Sequence, residues 1–247
     1  MSEIAAYTLT LNPAARVDLR QVGAEQNPLL VVDEVLLNPE DLIAVAGHST
    51  FSQPQHTRYP GLNAPAPLDY TQGLIAQLRP ILHRAFGIPA RDPVQFFSFF
   101  GLATEAPEAL DPIQKVPHHD SPDPFRIAMV HYLCHPSADG SVGGTAFFRH
   151  RATGFEGVDA RRRPDYVASA RAELDAIGHG LTRHVSGDTP NYEMIDFCPL
   201  AFNRLVVYRS HVLHSGLLEG AALSPDPRIG RLTINSFVEP DRAKLRF

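Results

Sequence analysis

Residues 126–134 read Arg-Ile-Ala-Met-Val-His-Tyr-Leu-Cys, and this nearly apolar run is the stretch that decides the fold. A short run of this kind is typical of a strand that is covered on both faces, so it predicts a central strand. Further short runs follow, joined by loops of variable length with few helices between them. This order predicts a mainly β protein, either an antiparallel sandwich or a jelly roll. The predicted strands are residues 29–32, 95–102, 126–134, 145–150, 203–210 and 231–238.

Three helices are expected to flank these strands. Asn38-Pro39-Glu40 is typical of a helix start and Gly47 of its end. Helical spacing of apolar residues predicts a second helix over 70–86 with a possible kink at Pro80, and residues 164–177 predict a third. Residues 50–68 are rich in proline and polar residues and are predicted to be a loop.

The chain is predicted to form a single domain. Residues 1–94 supply helices and strands that support a core of residues 95–240. The segment 151–200 is an insertion in that core, too long for a hairpin loop. An insertion between strands that flank a site is commonly a lid, although a surface helix without a role in the site is the alternative.

Composition excludes several function classes. The 247 residues are 44% hydrophobic and 20% charged, with a net charge of −5, so no nucleic-acid partner is expected. Two cysteines, Cys134 and Cys198, do not suggest a disulfide scaffold. No run reaches the roughly 18 apolar residues of a transmembrane helix, and no secretory signal begins the sequence, so the expected location is the cytoplasm. The sequence does not indicate an oligomeric state.

A candidate metal site precedes the central strand, in Pro117-His118-His119-Asp120. His118 and Asp120 are two residues apart, so on extended chain they share one face, whereas His119 points to the other. Two histidines and one carboxylate are the ligand set of a facial non-heme Fe(II) site. The third ligand is expected at His214, because Ser215-Gly216 lets the chain turn close to an ion. His211 remains the alternative.

An arginine at the start of the last predicted strand offers an anion site. Arg231 could hold a carboxylate through two parallel hydrogen bonds, and Thr233 lies on the same strand face. A buried arginine requires an anionic partner, which a dicarboxylate ligand would provide. The alternatives for this role are Arg204, Arg209 and Arg228.

These motifs together resemble the Fe(II)/2-oxoglutarate-dependent dioxygenases. The resemblance rests on His118-x-Asp120, then His214, then Arg231-x-Thr233. It extends to Tyr132, at a place where prolyl-hydroxylase-like members have a tyrosine that contacts 2-oxoglutarate, and to the turn Gly143-Gly144. The chain is also similar to a bacterial family of uncharacterised proteins of this class, through His-His-Asp-Ser-Pro at 118–122 and Phe-Asn-Arg-Leu-Val-Val-Tyr-Arg-Ser at 202–210.

The resemblance implies a double-stranded β-helix (cupin-like) fold and a hydroxylase. Fe(II) would be bound by His118, Asp120 and His214. The co-substrate 2-oxoglutarate would be bound by Arg231, Thr233 and Tyr132. The products would be an oxidised substrate, succinate and CO2.

Two other classes remain open. Two histidines and a carboxylate also suit catalytic zinc, in a hydrolase or isomerase on a cupin-like barrel. The third possibility is a non-catalytic jelly-roll binding module that keeps the histidines for structure.

The substrate is expected to be a small molecule or a peptide. Phe97 and Phe99 share a strand face and with Tyr192 could line a pocket, although an aromatic-rich strand is more often core.

Overall fold

Two antiparallel sheets form the centre of the protein. The structure is a computed structural model that describes residues 9–55, 59–136, 143–178, 181, 183–218 and 222–243. The strands are β1 (Arg16–Val22), β2 (Asn27–Asp33), β3 (Gly61–Pro65), β4 (Val94–Ala103), β5 (Ile127–Tyr132), β6 (Gly144–His150), β7 (Tyr192–Pro199), β8 (Arg204–Arg209), β9 (His214–Leu217) and β10 (Arg231–Pro240). The helices are α1 (Pro39–Gly47), α2 (Leu68–Phe86) and α3 (Arg163–Ile177).

The major sheet has seven strands in the order β1-β2-β8-β5-β10-β4-β3, and the minor sheet has the order β7-β6-β9. Every neighbouring pair is antiparallel. The prediction of a mainly β fold with flanking helices is therefore confirmed. As predicted, β5 lies inside the major sheet, between β8 and β10.

Side-chain alternation divides the core into layers. One face of the major sheet packs on α1 and α2, with Met129 and Phe100 among its buried residues. The other face packs on the minor sheet, where Tyr208 of β8 and Phe147 of β6 belong to one buried cluster. The outer face of the minor sheet packs on α3 through Tyr166. The resulting order is helices, major sheet, minor sheet, helix.

Helix α2 runs without interruption through Pro80, and Gly87 ends it in the left-handed conformation, with φ of 70°. Within the described residues, no helix combines the length and the hydrophobicity needed to cross a bilayer.

The predicted loop at 50–68 is wrong at its centre, because Gly61–Pro65 forms β3. Glycine and proline are poor strand residues, but β3 is the edge strand beside β4, where proline is tolerated. The prediction also missed β1, β7 and β9. Strand β9 reads His-Ser-Gly-Leu and carries little local β signal, so its conformation depends on pairing with β6.

The segment 151–200 is not an insertion outside the sheets. Its last part is β7, which pairs with β6 in the minor sheet. The prediction that the segment is a lid is therefore wrong for residues 192–199. Its middle part is α3, close to the predicted 164–177. His179, Gly180 and Thr182 lie outside the described residues.

Candidate functional site

His118, Asp120 and His214 converge on one point at the mouth between the sheets. One ligand atom from each lies within 4.8 Å of the others. The Nε2 atom of His118 is 3.7 Å from Oδ1 of Asp120, and Nε2 of His214 is 3.4 Å from Oδ2 of the same carboxylate. A single ion between these atoms would take both histidines and the carboxylate as ligands.

Backbone pairing places these side chains. His118 and His214 form an isolated antiparallel bridge, in which each amide donates to the other's carbonyl at 2.9 Å. Residues that exchange both hydrogen bonds face the same side of a sheet, and the two ring centroids are 4.5 Å apart. The Asp120 amide donates to the Ser210 carbonyl at 2.9 Å, so backbone hydrogen bonds hold both ends of the segment 118–120.

The tautomer of His214 follows from its surroundings. Its Nδ1 is 2.9 Å from the Val212 carbonyl, which can only accept, so Nδ1 carries the proton. The lone pair of Nε2 then points toward the Asp120 carboxylate, where an ion could bind. An imidazole held in this way is the usual arrangement of a metal-binding histidine.

Electrostatics favours neutral histidines. His214 is 4% exposed, and desolvation lowers its pKa to about 4. The pKa of His118 is also lowered to about 4, mainly by desolvation and secondly by the neighbouring His214, although 54% of that side chain reaches solvent. The pKa of Asp120 is raised by desolvation, against the opposing effects of His118 and Arg126. At neutral pH both imidazoles therefore offer free lone pairs.

His211 and His119 lie apart from this group. The His211 ring packs on Gly157, where an added Cβ would lie 2.6 Å from its Cδ2. The His119 ring faces Tyr166 at 6.2 Å between centroids, on the side opposite His118 and Asp120. The structure thus brings His214, rather than His211, together with His118 and Asp120.

Arg231 is buried near Gly216 of β9 and has no counter-ion among the described residues. Its side chain is 7% exposed, and within the described part of the chain no carboxylate pairs with it and its Nε has no acceptor. The guanidinium lies 5.6 Å from the centre of the Tyr132 ring. A Cβ added at Gly216 would be 3.7 Å from Nη2 of Arg231, so this glycine leaves room beside the guanidinium.

The alternative arginines have partners elsewhere. Arg204 forms an ion pair with Asp33 at 2.5 Å. Arg209 donates to the carbonyl oxygens of Phe86 and Pro124. Arg228 is exposed and contacts Asp226. Among these candidates, only Arg231 is buried and unpartnered within the described residues.

Thr233 and Tyr132 are opposite each other on β10 and β5. Both hydroxyls already have protein partners, because Thr233 donates to the Gly101 carbonyl and Tyr132 is 2.6 Å from Oγ1 of Thr145. Burial raises the pKa of Tyr132 to about 12. A direct contact of either hydroxyl with a co-substrate stays a prediction.

One neighbour of the site was not predicted. The Tyr208 ring lies 4.7 Å from that of His214. Gly216, which was expected to let the chain turn beside the ion, lies instead within strand β9 on the same face as His214. Alternation along residues 204–209 contains the signal for Tyr208, since Val206 and Tyr208 share the face that packs on the minor sheet.

The fold and the site together define a mainly β protein whose His-Asp-His group could bind a metal. The chain belongs to DUF6445, a family of unknown function whose model matches residues 13–238.

Several solved structures resemble the chain at a distance. HygX from Streptomyces hygroscopicus, solved with nickel and 2-oxoglutarate, is 13% identical with a TM-score of 0.46, over 88% of this chain and 85% of its own. EvdO2 from Micromonospora carbonacea var. aurantiaca is 13% identical with a TM-score of 0.45, over 92% and 100%. An N-substituted L-amino acid dioxygenase from Burkholderia ambifaria AMMD is 11% identical with a TM-score of 0.41, over 94% of each chain. No curated protein matches the chain.

Proposed function

We propose that this protein is an Fe(II)- and 2-oxoglutarate-dependent oxygenase on a double-stranded β-helix, and that it hydroxylates a small molecule or a peptide. One observation carries the proposal. The three ligand atoms of His118, Asp120 and His214 lie within 4.8 Å of one another, and the buried guanidinium of Arg231, without an ion pair in the described chain, lies beside Gly216 on the strand of His214.

The spacing suits a dicarboxylate. Gly216 is two residues from His214 on β9, which is about 6.6 Å along a strand. A five-carbon diacid could therefore reach from the metal to Arg231. Its far carboxylate would pair with the guanidinium through two hydrogen bonds, and this would compensate for the burial of that charge.

The chain's residues have distinct roles in this scheme. His118, Asp120 and His214 would hold Fe(II) and leave coordination positions open for other ligands. The bound iron and co-substrate would supply the oxidation, with O2 consumed and succinate and CO2 released. The Val212 carbonyl keeps His214 in the tautomer that binds metal. The Tyr132 ring packs against the guanidinium of Arg231.

The test is anaerobic binding of Fe(II) and 2-oxoglutarate. The wild-type protein should show a weak visible metal-to-ligand charge-transfer band. His214→Ala should abolish the band and Fe(II) binding, whereas His211→Ala, the matched variant three residues earlier, should retain both.

Circular dichroism would check that each variant folds. Normal iron binding by His214→Ala, with loss in His211→Ala, would show that the third ligand is wrong. Tight zinc binding with no band and no affinity for 2-oxoglutarate would favour the hydrolase class.

A further inference from the structure

Three phenylalanines form a partly exposed aromatic surface on the major sheet. Phe97 and Phe99 lie on β4 and Phe237 on β10, and we call these three residues the aromatic platform. Phe97 and Phe237 are 4.9 Å apart between ring centroids, Phe99 is 6.4 Å from each, and the rings are within 23° of parallel. Phe97 is 49% exposed.

The platform is distinct from the core phenylalanines of the same strand. Phe96 and Phe100 point to the helix side of the sheet and pack there. Phe97 and Phe99 alternate to the face that carries the candidate site. Tyr192, predicted to join them, is instead buried on the outer side of the minor sheet, so that part of the expected pocket is wrong.

Strand register connects the platform to the metal centre. Tyr208, Ala128, Phe237 and Phe97 are successive partners in one row across β8, β5, β10 and β4. Tyr208 contacts His214 at one end of the row. Phe237 is two strands away from Tyr208, about 9–10 Å, with Ala128 between them in the row. Tyr208 and Ala128 are buried, so packed side chains connect the platform to the site.

A polar group lies in the next row. Asn235 pairs with Phe99 on one side and Val130 on the other. Its Nδ2 donates to Thr233 Oγ1 at 3.0 Å, and Thr233 in turn donates to the Gly101 carbonyl. Because the Thr233 hydroxyl donates its proton to Gly101, it can only accept a hydrogen bond from Asn235. This fixes the orientation of the Asn235 amide. Oδ1 of Asn235 then remains an acceptor at the edge of the platform.

We infer that the aromatic platform is the substrate subsite, and that it selects a substrate whose planar aromatic ring carries an N–H donor. The ring would extend the parallel stack of phenylalanines, and the donor would bind Oδ1 of Asn235. This assignment rests on the proposed function for its role in oxidation. The binding itself requires neither metal nor co-substrate.

Three matched probes test the inference with the full-length protein, by ligand-observed NMR titration. Benzamide carries the ring and the donor, cyclohexanecarboxamide lacks the aromatic ring, and methyl benzoate lacks the donor. Benzamide should bind about fivefold more tightly than cyclohexanecarboxamide, the scale of one aromatic pair. It should bind about threefold more tightly than methyl benzoate, the scale of one neutral hydrogen bond.

Two variants locate the site. Phe97→Leu keeps an apolar, half-exposed side chain, so the fold should be unaffected, and it should abolish the preference for the ring. Asn235→Leu should abolish the preference for the donor alone. Phe125→Leu is the control, since Phe125 is also 49% exposed and lies 5.8 Å from the Arg242 guanidinium, as Phe97 lies 5.9 Å from that of Arg126. It should behave as wild type.

The outcomes separate the subsite from the oxygenase. Equal affinity for benzamide and cyclohexanecarboxamide, or a ring preference that survives Phe97→Leu, overturns the subsite even if 2-oxoglutarate binds normally. A ring preference lost only in Phe97→Leu, in a protein that does not bind 2-oxoglutarate, supports the subsite while the oxygenase proposal fails.

Discussion

His131 is a histidine of β5 that is fully buried on the helix side of the major sheet. The Tyr70 hydroxyl lies 2.8 Å from its Nδ1, and Oδ1 of Asn203 lies 3.1 Å from its Nε2. Because Oδ1 only accepts, Nε2 carries the proton, and both nitrogens are satisfied in the neutral ring. Desolvation lowers the pKa of His131 to about 4.

This pKa predicts acid sensitivity. An unfolded histidine titrates near 6.5, so between pH 6.5 and 4 the unfolded state binds the proton and the folded state does not. The stabilising contribution is thus complete above pH 6.5 and is lost as the pH falls toward 4. Each such histidine should reduce the free energy of unfolding by about 1.4 kcal/mol per pH unit in this window.

Urea denaturation at pH 7 and pH 5 would measure this slope. His131→Gln should be less stable than wild type at pH 7 but should have a shallower slope. Val167→Ala, at an exposed position without a titratable group, is the control and should keep the wild-type slope. An unchanged slope in His131→Gln would show that the acid sensitivity arises elsewhere.

Arg231 gives a second prediction at the level of single residues. Arg231→Lys should weaken 2-oxoglutarate binding about 10- to 100-fold, because one ammonium cannot replace a two-pronged guanidinium. Arg231→Met should abolish binding and leave the free energy of unfolding unchanged or raised, since it removes a buried charge without a described counter-ion. Calorimetric titration and urea denaturation give the two readouts.

The control for Arg231 is Arg228→Lys, at an exposed arginine paired with Asp226. It should bind 2-oxoglutarate as wild type does. Wild-type affinity in Arg231→Met would remove Arg231 from the proposed site.

At the scale of elements, α3 is tied to the loop that carries His118. The Tyr166 hydroxyl donates to the Pro117 carbonyl at 3.2 Å, immediately before His118. Glu173 of the same helix lies 3.0 Å from Nε2 of the buried His150 on β6. These contacts indicate that α3 positions the loop that carries His118 and Asp120. Deletion of this helix is therefore expected to disturb metal binding, in contrast to the expectation for a separate lid.

Tyr166→Phe isolates this effect. The change removes one hydrogen bond to this loop and keeps the ring, so Ni(II) affinity should fall about tenfold, as for other groups that orient metal ligands. Val167→Ala, at an exposed position of α3, is the matched control. A loss of stability with unchanged Ni(II) affinity would mean that the helix has only a structural role.

At the scale of the whole molecule, the candidate metal ligands come from distant parts of the chain. His118 and Asp120 precede β5, whereas His214 begins β9 in the other sheet. A ligand that binds only the folded arrangement stabilises it, by about 2.7 kcal/mol at 100 times its dissociation constant. Ni(II) with 2-oxoglutarate should therefore raise Tm by about 5–10 °C.

Differential scanning fluorimetry would measure this shift. Asp120→Asn, with nearly the same shape, should lose most of it. Magnesium, which prefers oxygen ligands, should produce little shift with either protein. A full shift in Asp120→Asn would exclude this carboxylate as a ligand.

The sequence by itself determined the features that depend on local periodicity. The apolar run at 126–134 predicted an internal strand, and the helical spacing at 70–86 and 164–177 predicted α2 and α3. The two-residue spacing of His118 and Asp120 placed both on one face. These features are set by backbone geometry over a few residues, so neighbouring sequence is sufficient to predict them.

Only the tertiary structure decided which distant residues meet. It brought His214 rather than His211 to His118, through a backbone bridge across 96 residues of sequence. It left Arg231 buried without an ion pair in the described chain, and it made strands of β3 and β9, whose sequences have little β propensity. Each outcome depends on strand pairing and register, which are chosen by the packing of the whole core and are not encoded in any one segment.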